Sequence, residues 1–267
     1  MSTSTLDRGT SVVPAESSYP TIDFGPRQSF VRLVRIELRK MVDTRSGRWL
    51  LIAILALSAA GLTWGLTHLD PGVLHFTDVL GLALVPVDLI LPVVGIMAMT
   101  SEWTQRTALT TFTLSPRRIP VLFAKLVAAI ALAMAMVTAV VGLAFVATAI
   151  GGVIGGDGAS YDHALRSIAG AAITDGLNVL MAAGIGLVAS LTAVGVLVYY
   201  VAPTAWALVG PGLLHGGSRW LDIFATFGHV GSFDLSGHVA QALTSVGFWI
   251  VLPVTVGLVV ANRREVK

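Results

Sequence analysis

Long uncharged stretches constrain this chain more than any other feature of its sequence. The 19 residues Trp49–Thr67 carry no charged side chain, and neither does any residue from Leu126 to Gly156. An α-helix rises about 1.5 Å per residue, so crossing a hydrocarbon core about 30 Å thick takes about 20 apolar residues. On that measure six spans are read, at residues 49–67, 79–99, 120–150, 169–191, 193–214 and 242–261. The fifth follows the fourth with almost no connector, which requires a tight turn near Thr192. Only 12% of the 267 residues are charged and 55% are hydrophobic. A soluble domain of this length needs more surface charge, so soluble enzymes and soluble binding modules are set aside. The expected fold class is an all-α integral membrane protein.

Charge placement gives the orientation. Of the 17 Lys and Arg, only Arg166 and Arg219 fall in outer segments when both termini are placed in the cytoplasm. That bias is what the positive-inside rule expects of a multi-pass protein in a bacterial inner (cytoplasmic) membrane. The net charge is only +2, and the basic residues sit at membrane edges, so no nucleic-acid partner is expected. Residues 1–27, rich in Ser, Thr and Pro, read as a disordered cytoplasmic tail, and 263–267 as a second tail. Residues 28–48 read as an amphipathic interfacial helix. Phe30, Val31, Val34, Leu38, Met41 and Val42 share one face, and Arg32, Arg35 and Arg39 form a stripe suited to anionic membrane lipids.

Absences narrow the chemistry. A phosphate-binding loop needs Lys directly after Gly, but Lys40, Lys125 and Lys267 follow Arg, Ala and Val. No catalytic motif for ATP hydrolysis or acyl transfer is present, and with no Cys there is no thiolate metal site. The six histidines lie in outer loops or at their edges without ligand-like spacing, so no metal is expected. Two sets of polar residues stand inside spans. Asp88 lies near the middle of span two between Pro86 and Pro92, and Asp175 and Asn178 share a face of span four nearer the outside. A charged group at such depth is costly and faces protein or an aqueous path. It lines a substrate route, or it serves interhelical hydrogen bonding; for Asp88 the partner would then be a carbonyl freed by proline. Gly61/Gly65, Gly151/Gly155 and Gly152/Gly156 have the spacing of close helix contacts.

The second inner segment reads TSEWTQRTALTTFTLSPRRIPVLFAK. Ser101 can cap a helix, Glu102 suits its first turn, and Glu102 with Arg106 makes an i,i+4 pair. Pro116 would end that helix and Pro120 begin the next, giving a short cytoplasmic helix over 101–114. The runs SEWTQRTALTTF and SPRRIPVLFAK resemble the signature of ABC-2-type transporter permeases, the membrane subunits of bacterial ATP-driven exporters. The order of parts is similar too: a basic amphipathic entry helix (RIELRKMVDTR), six spans, and a hydrophobic outer loop, His215–Gln241, read as a re-entrant hairpin before span six. The likeness covers roughly residues 30–262.

The resemblance implies a permease dimer, either a homodimer or a pair of related subunits, beside two copies of a separate ATPase that binds ATP and Mg. It implies no cofactor in this chain. It also implies that Ser101, Glu102, Trp103, Arg106 and Thr107 form the ATPase-coupling contact, with the entry helix beside them. The turn between spans four and five, often basic in that family, here reads VASLTAVG, so the likeness does not extend to a second cytoplasmic contact there. A proton-driven secondary transporter using Asp88 is the first rival, opposed by the lack of an internal repeat and of a second acid at matching depth. A non-transporting scaffold or immunity protein is the second.

Overall fold

The computed structural model describes residues 29–68, 72–104, 118–155 and 158–263. Within them α1 (Phe30–Asp43) leads into α2 (Arg45–His68). The chain continues through α3 (Phe76–Thr104), α4 (Arg118–Gly155), α5 (Ala164–Ala189) and α6 (Thr192–Leu214). A 3-10 turn (His215–Leu221) and α7 (Ile223–Gly231) precede a last rod. That rod is α8 (Val239–Val246), a π-helical turn (Gly247–Val251) and α9 (Leu252–Arg263). Six helices, of 24, 26, 37, 26, 23 and 23 residues, are long and apolar enough to cross a membrane. The protein is thus a helical, multi-pass membrane protein. Six crossings also put the two ends of the described chain on one side.

Two short strands, β1 (Leu74–His75) and β2 (Ala159–Ser160), pair in parallel at the opposite end. Beneath them Phe76, fully buried, packs its ring 4.3 Å from Phe145 and 5.9 Å from Tyr161.

At 38 residues α4 is about 57 Å long, well beyond the hydrocarbon thickness. Its first turns give α1 a platform. There the Glu37 carboxylate receives the Lys125 ammonium at 2.5 Å and the Lys40 ammonium at 2.7 Å. Glu37 is 4% exposed and Lys125 2%. Val34, Leu38 and Met41 close the contact. The expected apolar face of α1 is therefore divided, since Phe30, Val31 and Val42 stay exposed while the other three pack on protein. Arg32, Arg35 and Arg39 point outward as expected, and Arg39 lies 3.8 Å from Asp43.

Helix α1 is shorter than the 28–48 expected of the interfacial helix. It stops at Asp43, where Thr44 turns extended and accepts the Gly47 amide on Oγ1 at 3.2 Å. A Cβ at Gly47 would fall 2.0 Å from the Met41 carbonyl, so this bend requires glycine.

Helix α5 is the hub, packing against α3, α4, α6, α7 and the last rod. Small residues let neighbours come close. A Cβ on Gly170 would meet the Gly231 carbonyl at 2.0 Å, one on Gly184 the Val254 amide at 3.0 Å, and one on Gly186 the Ile96 backbone at 3.1 Å. Of the glycines picked out by spacing, Gly152 also lies against backbone, its Cβ position 2.9 Å from the Ala159 amide nitrogen, whereas Gly65 and Gly151 meet leucine side chains and Gly61 and Gly155 face open space; Gly156 lies outside the described residues. Ser190, at φ 59°, ends α5 and makes the tight turn expected near Thr192.

The segment before the last span folds as short helices against the bundle. Trp206 and Trp249 donate from Nε1 to the Ser218 and Leu221 carbonyls at 3.1 and 2.7 Å. Asp222 caps α7 by accepting the Ala225 amide at 3.0 Å. Arg166 reaches the Ser232 carbonyl at 2.5 Å.

Breaking a buried ion pair from one side leaves a charge without its partner, whereas replacing both by apolar groups is often tolerated. Lys125→Met should lower stability by roughly 3 kcal/mol, and Glu37→Met/Lys125→Met should be less damaging than Lys125→Met alone. Thermal unfolding in detergent checks both, and a double variant as unstable as the sum of its parts would contradict this account of the clamp.

Candidate functional site

Counting residues from the β1–β2 end shows why two acids meet. Helices α3 and α5 both start at that end and run in the same direction. Asp88 comes twelve residues after Phe76, about 18 Å down the helix, and Asp175 eleven after Ala164, about 17 Å. Their carboxyl groups lie at one level, near the middle of the slab, and hydrogen-bond to each other.

The sequence expectation placed Asp175 nearer the outside and found no acid at the depth of Asp88. Both points are corrected here. Helix α5 begins at Ala164 rather than near Ala169, and five extra residues lower Asp175 by about 7 Å. Nor is a proline-freed carbonyl the partner of Asp88; that partner is Asp175. Two ionised carboxylates offer only acceptors, so a hydrogen bond between them holds a proton. Asp175 is 2% exposed, whereas Asp88 stands open to the space in front of it.

That space is a half-open cavity of about 530 Å³ among α3, α5, α6 and α7. Asp88 and Leu89 form one wall, Thr174 and Asn178 the floor, Tyr199 and Tyr200 a second wall, and Phe224 and Phe227 the roof. The Tyr199 hydroxyl donates to Asn178 Oδ1, and the Tyr200 hydroxyl to the Leu89 carbonyl. The two rings meet edge to face at 4.8 Å. Thr174 donates back to the Gly170 carbonyl at 2.9 Å. Each of these hydroxyl protons is engaged within the protein, which leaves oxygen lone pairs toward the cavity.

Asn178 thus shares the site with both acids. Sequence reasoning missed Tyr199, Tyr200, Phe224 and Phe227. The available signal was a Tyr-Tyr pair inside an otherwise aliphatic span, in a chain with only four tyrosines.

The residues expected at the ATPase-coupling contact come out differently. Ser101 does not begin a new helix. It continues α3, its hydroxyl donating to the Ala98 carbonyl at 3.4 Å. Glu102 and Trp103 extend the same helix to Thr104, and Arg106, Thr107 and the rest of the expected 101–114 helix lie outside the described residues. One turn earlier the Thr100 and Thr192 hydroxyls bond at 2.7 Å, tying the end of α3 to the start of α6.

The histidines form no metal centre among the described residues. His229 and His238 stack at 4.2 Å beside Asp234. The Ser236 amide, donating at 3.2 Å, holds the Asp234 carboxyl below its ordinary range. Comparison with family models, curated proteins and solved structures gave no match, so the chemistry of this site rests on its own residues.

An amide at position 175 can still donate to Asp88, while an alkyl group cannot. Asp175→Leu should therefore destabilise the protein by about 1–3 kcal/mol, and Asp175→Asn by under about 1 kcal/mol. Unfolding in detergent distinguishes the two, and equal losses would mean that the carboxyl pair contributes nothing through its hydrogen bond.

Proposed function

We propose that this chain is the membrane-spanning permease subunit of an ABC-2-type exporter. It works as a dimer beside a separate ATPase that binds ATP and Mg, in a bacterial inner membrane with both termini cytoplasmic. What supports the reading is the order of parts: an amphipathic helix clamped to the base of α4, six spans, and helices packed across the far end before the last span.

The mechanism would be mechanical. Closure of the ATPases displaces the segment around Ser101–Thr107. Because α3 is one helix from Phe76 to Thr104, that push reaches Asp88 along about 24 Å of rod. Pro86 and Pro92 lie within α3 on either side of Asp88. Each removes a helix hydrogen bond, giving α3 places to bend. The segment before span six is then the outer gate, and two copies form the path at their interface.

A second reading, a proton-coupled carrier, is favoured by one observation. Asp88 and Asp175 pair their carboxyl groups at mid-slab, an arrangement suited to taking up and releasing a proton. The scaffold alternative has no comparable support.

Co-purification of the tagged chain from its native host, with and without Glu102→Ala, tests the exporter. An ATPase that comes down with the wild type and is released or uncoupled by Glu102→Ala is expected. A chain that purifies alone, and whose transport is lost in Asp88→Asn whatever the ATP supply, would favour the proton-coupled reading instead. Orientation is open to an independent check because the chain has no Cys. An impermeant maleimide added to intact cells should label Ser236→Cys and leave Ser46→Cys untouched; the reverse pattern would invert the topology.

A further inference from the structure

We propose that the cavity among α3, α5, α6 and α7 is a binding site for lipophilic organic cations. This names the substrate class of the proposed exporter and rests on that reading only for the direction of movement.

Four features carry the assignment. The volume, about 530 Å³, lies in the range that encloses a drug-sized molecule. The walls are mostly apolar, with four aromatic rings, from Tyr199, Tyr200, Phe224 and Phe227, which is how proteins hold the body of such a ligand and the face they offer a cation. The polar groups are biased in sign. No Lys, Arg or His is among the described residues that line the cavity. The tyrosine protons are committed to Asn178 and Leu89, so both phenol oxygens present acceptors, and the acid at the wall is Asp88. The last feature is positioning: Asp175, buried behind Asp88 and bonded to it, holds that carboxyl at the cavity edge. Among the lining residues an anion would meet the Asp88 carboxyl and two phenol oxygens, with only the Asn178 amide and the Thr204 hydroxyl to donate to it, and a neutral apolar molecule would leave Asp88 facing hydrocarbon at a cost. A cation with an apolar body satisfies both kinds of wall.

The access route fits the same chemistry. The cavity is half open, with exposed Leu89 and Phe224 at its margin. A ligand already dissolved in the membrane would enter sideways, without crossing the α7 cap.

The test uses the purified full chain in nanodiscs of zwitterionic lipid, with empty nanodiscs subtracted. Tetraphenylphosphonium and tetraphenylborate are the probes, alike in shape and opposite in charge. Saturable binding of the phosphonium and none of the borate is expected, with about tenfold weaker phosphonium binding in Asp88→Asn. Thr204→Trp, which fills the cavity and leaves both carboxyl residues in the sequence, should abolish it in a protein that remains monodisperse. Equal binding of the two ions, or phosphonium binding unchanged in Asp88→Asn or in Thr204→Trp, would overturn the proposal and leave the cavity to lipid chains. Because no ATPase is present, cation binding by a chain that never co-purifies with one would reject the exporter and keep this site. The converse pair of results would do the opposite.

Discussion

Hydrocarbon offers a peptide group nothing to bond with, and the architecture of this protein follows from that constraint. Each segment in the slab closes its own backbone hydrogen bonds as a helix, and irregular backbone is pushed to the ends. Beside the prolines of α3, neighbouring carbonyls take side-chain hydrogen bonds. Pro92 removes the amide that would serve the Asp88 carbonyl, and one residue on, the Leu89 carbonyl receives the Tyr200 hydroxyl. Ser58 likewise spends its buried hydroxyl on the Ala83 carbonyl at 2.7 Å, joining α2 to α3.

Once every span is a helix, the hydrophobic effect no longer brings helices together, because lipid is as apolar as leucine. Close backbone approach and polar contacts take over. That is why α5 can be the hub. Gly170, Gly184 and Gly186 let α7, α9 and α3 lie almost against its backbone, and Asp175 gives it a polar anchor to α3. The clamp at the base follows the same logic in a different setting. Glu37 and Lys125 are 88 positions apart, and each would be expensive to bury alone. Together they fasten a helix that composition alone would leave floating at the surface.

A path from the Ser101 end of α3 to the cavity runs through continuous parts. Helix α3 carries Ser101 at one end and Asp88 near its middle, Thr100 ties it to α6 through Thr192, and α6 supplies the two tyrosines. A displacement at the base would therefore reach the carboxyl pair and the tyrosine wall together, whichever energy source drives it.

Much of the fold was legible beforehand. Apolar runs of about 20 residues, two of them broken by a single Asp, have one low-energy fate near a bilayer, so the six helices and a tight turn near Thr192 could be read from the chain. So could the outward-facing arginines of α1, from their spacing. Boundaries were less legible. Whether a helix starts at Ala164 or Ala169 depends on local capping and on contacts with α7, and that difference decided the depth of Asp175. Ser101 looked like a cap because its side chain suits one, yet the helix passes through it, since continuing α3 costs no backbone bond. Periodicity within single segments, then, determined the spans and the end at which the charges gather. Tertiary structure alone decided which groups meet: Asp88 with Asp175, Glu37 with Lys125, Tyr199 and Tyr200 with the α7 phenylalanines. These pairings depend on the order, tilt and closeness of helices, which small residues on several spans set jointly and no single segment encodes.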